Sequence, residues 1–161
     1  MSTPASSTLR SGSPARLPAE VEQLLLDVVA DGFILCCCGP RFAPHALVAC
    51  YHWQHYVDVI TIRHFDRIIT ARIPAPPSTR IDVFNPTVVV WAYEGPPQPA
   101  LRALLNLLPP HHPHAPTCTY PAPPILHISR AEQRPMTIQI PPPPRVAHRA
   151  TRLAATMANT G

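Results

Sequence analysis

The sequence predicts an α+β fold: an antiparallel β-meander of four to five strands, with an N-terminal helix and a Leu-rich helix packed on one face. Three observations carry this reading. Of the 24 prolines, none lies between His45 and Ile73. Proline lacks the amide donor a ladder needs, so that Val-, Ile- and Tyr-rich window is where a hydrogen-bonded sheet can form. Residues 18–31 repeat apolar side chains at helical spacing, and residues 87–108 run from a β-rich segment through a proline turn into a second amphipathic stretch.

The first helix is expected over residues 18–31, where Val21, Leu24, Leu25, Val28 and Val29 fall at i, i+3, i+4, i+7 and i+8. Pro18 suits its start, Glu20 and Glu22 favour the positive end of the dipole, and Gly32 can supply a left-handed cap. Asp27 and Asp31 oppose the dipole at the other end and are expected to be solvated. Strands follow over residues 33–38 and 46–53, separated by a Pro-flanked loop around Arg41 and Phe42. Residues 56–73 read as a hairpin turning at Phe65–Arg67. In its first arm Tyr56, Asp58, Ile60 and Ile62 share one face, and Val57, Val59 and Thr61 the other. Both faces are largely apolar, which requires cover on both sides, by helices or by helices and long loops.

Beyond the prolines at 74–77, residues 81–84 read as a short strand and 87–93 as the strongest β run of the chain. Pro99 then opens a helix with a stripe of Leu101, Leu104, Leu105 and Leu108, which should fold back over the sheet. Residues 109–124 are Pro- and His-rich and predict a loop. Residues 125–129 and 136–140 suit edge strands, residues 141–144 a polyproline II segment, and residues 145–157 a basic helix. The organisation expected is therefore a disordered tail at 1–17, one domain at 18–140, and a polyproline segment with a basic helix at 141–161. A chain of 161 residues accommodates this, since a domain of roughly 100–150 residues buries a sufficient core without disulfide or metal staples.

The stretches 82–94 and 101–116 resemble small uncharacterised α+β proteins of high-GC bacteria, which share an apolar strand, a Leu-rich helix and a Pro/His loop in this order. The resemblance covers less than a fifth of the chain and implies no activity, cofactor or site residue.

Composition narrows the function classes little. All thirteen basic residues are Arg, and the net charge is +4, which is too modest to predict binding to nucleic acid or membrane from charge alone. Five cysteines lack the spacing of a disulfide framework. No apolar h-region precedes them, so reduced thiols and a cytoplasmic location are expected. No stretch approaches the roughly 20 apolar residues of a membrane span.

Three sets of residues could carry chemistry. Cys38 with His45 is a conceivable nucleophile and base, provided a positive charge lowers the thiol's pKa. His111, His112, His114 and Cys118 offer zinc-type ligands within eight residues, but their spacing matches no established zinc pattern, and no cofactor is expected. Arg145, His148, Arg149 and Arg152 form a basic stripe opposite Val146, Ala150, Leu153 and Met157, suited to an acidic partner or to phosphates. His52, His55, Asp58, His64 and Asp66 cluster in sequence, but strand alternation separates them. The leading expectation is a small non-catalytic interaction or regulatory module, engaging a protein partner through the basic stripe or an exposed sheet edge. The alternatives are a small hydrolase or transferase using a Cys/His pair, and weak nucleic-acid binding through the Arg stripe.

Overall fold

A computed structural model describes residues 18–161; the disordered tail expected at 1–17 lies outside the described residues. Helix α1 (Ala19–Asp31) begins after Pro18 and ends at Gly32, whose φ of 98° gives the left-handed cap, with its N–H bonded to the carbonyls of Val28 and Val29. Then come β1 (Ile34–Cys38), β2 (Ala46–His52), β3 (Tyr56–His64) and β4 (Arg67–Pro74), a consecutive antiparallel meander. The proline-free window accounts for β2, β3 and almost all of β4. After β5 (Val88–Val89) and β6 (Trp91–Gly95) comes α2 (Pro97–Leu105). The chain continues through β7 (Tyr120–Pro121), a 3-10 turn (Pro124–Leu126), β8 (Met136–Gln139), the single turn α3 (Pro143–Val146) and α4 (His148–Ala158).

The architecture is α+β, and the main sheet is wholly antiparallel. It holds six strands in the order β6-β4-β3-β2-β1-β8, rather than four to five. Beyond the four-strand meander it gains β6 and β8 at its two edges, with prolines after β6 and on both sides of β8, which an edge tolerates because only one side of the strand needs its donors. The β run at 87–93 is split at Val90. Val88 and Val89 leave the main sheet to pair with Tyr120 and Pro121, and the Val90 N–H bonds the Arg72 carbonyl. Two expected strands are absent. At residues 81–84 the Asp82 carboxylate accepts the Phe84 N–H and makes a turn. At residues 125–129 the chain forms the 3-10 turn, since Pro123 and Pro124 bring no donors to a ladder.

Alternation along β3 divides the core. Ile60 and Ile62 join Val21, Val28, Phe33, Tyr51, Leu101 and Leu104 beneath α1 and α2. Val57 and Val59 join Cys36, Cys38, Ile69, Ile73, Leu126 and Ile128 on the opposite face. Helices therefore cover one face and long loops the other. The Pro-rich segments at 75–87 and 109–130 serve as that second cover, with Ile81, Val83, Phe84, Ala122 and Ile125 packed against the sheet. The expected polyproline II segment survives only in its first half: Pro142 is extended, while Pro143 and Pro144 form the first turn of α3.

α3 fixes the position of Gly32. A Cβ built there would lie 1.9 Å from the Arg145 carbonyl oxygen, a backbone atom that cannot rotate away. Gly32→Ala combines this clash with a positive φ. It is expected to lower stability by about 2 kcal/mol in urea unfolding monitored by circular dichroism, more than a Gly→Ala change at an ordinary helix cap would cost.

Candidate functional site

The basic helix is built inward. Arg149 and Arg72 have no exposed surface, and neither has Asp58. Asp58 and Arg72 are cross-strand neighbours on β3 and β4, and Arg72 grips the carboxylate through Nε at 2.6 Å and Nη2 at 2.9 Å. Arg149 reaches the same carboxylate from α4, through Nη2 at 3.0 Å and Nε at 3.3 Å. Its remaining donors meet the carbonyls of Leu104 at 2.6 Å and Leu105 at 3.2 Å and the Asp31 carboxylate at 3.3 Å. All five N–H groups of Arg149 are thus used. Arg152 closes the cluster on Asp31 with bonds of 2.7 and 2.8 Å, and Asp31 holds its guanidinium above the usual Arg pKa.

Three cations face two carboxylates here, and the difference is offset by α2. Its last carbonyls have no partner within the helix and form the negative end of its dipole. Leu104 and Leu105 are capped by α4, and Leu108 just beyond the helix accepts Arg72 Nη1 at 2.6 Å. Aromatic rings wall the cluster. Arg72 lies 5.7 Å from the Trp53 centroid, and Arg149 lies 5.5 Å from Phe33 and 5.9 Å from Trp53. The Trp53 indole N–H donates to Asp58 at 2.9 Å. Two expectations are corrected by this. Asp31 is buried and paired, not solvated, because α4 brings two guanidiniums to it. Arg149 is a core residue, not a partner-facing one, and Arg152 is half-buried on Asp31; Arg145 and His148 alone of the four-residue stripe stay exposed. The helix assigned to a separate 141–161 segment thus packs onto the same body, through Arg149 and Leu153. Val146, expected on the docking face, is 53% exposed.

The Cys/His pair lacks the environment that nucleophilic chemistry needs. Cys38 is fully buried in the loop-side core. Burial first, then Cys36, Cys37 and Glu132, push its thiol up to about 11, against a weaker opposite pull from Arg63. A nucleophilic thiol needs the reverse shift. His45 is exposed, and its ring rests against Gly39. The link between the two residues is structural: the His45 N–H bonds the Cys38 carbonyl at 2.8 Å. In the Pro/His loop, His111, His114 and Cys118 are exposed. His112 Nδ1 accepts the His114 backbone N–H at 3.1 Å. Among the described residues no three His, Cys, Asp or Glu side chains come together as a metal site.

The surface feature that remains is the sheet edge at β8. It pairs with β1 in the register Cys36↔Ile138 and Cys38↔Met136, and it ends the sheet, so its outer backbone groups face away from any strand among the described residues. Edges are ordinarily guarded by charges, by prolines and short length, or by a covering element, and β8 has the second of these. From Pro135 to Pro144 there is no charged residue, and Ile138 and Ile140 are 55% and 75% exposed. Arg134 and Arg145, both exposed, flank the stretch. No helix among the described residues is long and apolar enough to cross a membrane. Comparison with family models, curated proteins and solved structures finds no match to this chain.

Proposed function

We propose that this protein is a small non-catalytic interaction module that takes an extended protein segment along the open edge of β8. The observation that carries the reading is the edge itself: hydrogen-bonding backbone with no neighbouring strand among the described residues, two exposed isoleucines, no charge within the strand and an Arg beyond each end. Adding a strand satisfies the free amides and carbonyls, and side chains at alternate positions set specificity. The flanking cations favour an apolar segment bounded by acidic residues. The prolines at 135 and 141 limit the paired length, so the mode suits a short linear segment better than a whole sheet.

Selection from a random-peptide phage library tests this. The selected peptides are expected to alternate apolar residues between acidic flanks and to slow amide hydrogen exchange at Thr137, Ile138 and Gln139. Ile138→Lys, at an exposed position, should weaken their binding about tenfold without changing the circular dichroism spectrum. Peptides that slow exchange elsewhere, or that bind Ile138→Lys equally well, would refute the reading.

A further inference from the structure

The geometry points to a second site of a different kind, a binding cavity for a small uncharged lipophile, between α1 and the β1–β2 end of the sheet. Leu25, Val28 and Val29 of α1 stand over Leu35, Leu47, Ile60 and Ile62. The positions beneath them include Cys37 and Ala49, whose short side chains do not fill the gap, and a cavity of about 270 Å³ remains. Protein interiors pack as densely as organic crystals, so an apolar gap of this size, open to solvent beside the exposed Val29, is a departure from close packing. It lies just below the roughly 300–1,000 Å³ typical of ligand pockets, which are likewise mostly apolar with a few placed polar groups.

The lining sets the chemistry of the occupant. No charged side chain borders the cavity, and its polar residues apart from Cys36 and Cys37 are Thr137 and Gln139 of β8, both exposed and therefore at the mouth. An ionised ligand would lose its hydration without gaining a counter-charge. Water is held poorly too, since a bound water needs two to four polar partners. What fits is an aliphatic or terpenoid alcohol, ketone or ester, its hydrocarbon body among Leu25, Leu35, Leu47 and Ile62 and its oxygen at Thr137 or Gln139. This inference does not rest on strand addition at β8.

The test uses the full chain and the neutral dye N-phenyl-1-naphthylamine. The expected result is saturable fluorescence enhancement with about one site per chain, competed by 1-decanol. Ala49→Leu, which fills the cavity from its floor, should weaken dye binding about tenfold or more while the circular dichroism spectrum is kept. Should Ala49→Leu fail to fold, Leu47→Trp fills the same space from a half-buried position. In Cys118→Ser protein, which lacks the exposed thiol, saturating dye should slow alkylation of Cys37 by N-ethylmaleimide about tenfold. Absence of saturable binding, undiminished binding in a folded filled variant, or Cys37 alkylation at the same rate with dye bound would each overturn the assignment. So would sedimentation showing that dye uptake dissociates a dimer, since the cavity would then be covered by a second copy of the chain.

Discussion

Asp58→Ala is expected to destabilise the protein by about 3–5 kcal/mol, a large part of the 5–15 kcal/mol that holds a typical domain together. The carboxylate is shared by two guanidiniums, both without exposed surface. Removing it leaves Arg72 with the Leu108 carbonyl as its hydrogen-bond partner and Arg149 with Asp31 and two carbonyls. Neither cation can reach water without moving β4 or α4. The cost is that of uncompensated charge, not of one ion pair's net worth, and the two can be separated. Asp58→Leu combined with Arg72→Met and Arg149→Met removes charge from all three positions and leaves Asp31 its Arg152 partner, and should recover much of the loss, because apolar replacement of a buried ion triad is often close to neutral. Urea unfolding of the single and triple variants, followed through tryptophan fluorescence from Trp53 and Trp91, measures both quantities. A single-variant loss below about 1 kcal/mol would show that solvent reaches the cluster.

The Asp58–Arg72 half of this cluster was legible in the sequence. Asp58 falls on the same face of β3 as Ile60 and Ile62, and an acid on the core side of a central strand calls for a buried cation. The hairpin centred near residue 65 sets that cation's place, since pairing across it brings Arg72 opposite Asp58. The Arg149 half was not. A stripe of Arg145, His148, Arg149 and Arg152 reads as an outer face because nothing in local spacing reveals that the C-terminal carbonyls of α2 and the Asp31 carboxylate await it from above. The same distance from local signal explains the strands. β2, β3 and β4 follow from proline exclusion and alternation, whereas the pairing of β8 with β1 joins segments about a hundred residues apart, and the placement of residues 125–129 beneath the sheet depends on what the other loops leave uncovered. Among the sites, the buried Cys38 could be anticipated from its strand, but the cavity could not. It exists because Cys37 and Ala49 are small where α1 crosses, a coincidence between elements that no single segment shows.

Ending the chain at Pro142 should abolish cooperative folding, with a loss exceeding about 5 kcal/mol. An appended helix tethered by prolines would leave the domain's stability unchanged on removal, but α4 is a structural member. With it go Arg149 and Arg152, so Asp31 loses both of its cations, Asp58 keeps Arg72 as its one cation, the Leu105 carbonyl loses the guanidinium donors of α4, and the Leu104 carbonyl keeps only the Leu107 N–H. Phe33 and Trp53 lose the guanidinium packed on them, and the Tyr51 hydroxyl loses the Ala150 N–H. The expected readout is a broad, low-temperature transition in thermal circular dichroism and loss of near-ultraviolet signal from the Phe33–Tyr51–Trp53 cluster. A truncated protein that melts as sharply and as high as the full chain would show that α4 and its two paired arginines contribute nothing to the fold. The same reasoning constrains how phosphate binding by the basic stripe can be examined. Deleting residues 145–161 would remove binding and fold together, whereas Arg145→Ala with His148→Ala alters only exposed side chains. Salt-dependent retention on nucleic acid that survives this pair cannot come from the exposed stripe, because Arg149 is spent on Asp58 and Arg152 on Asp31.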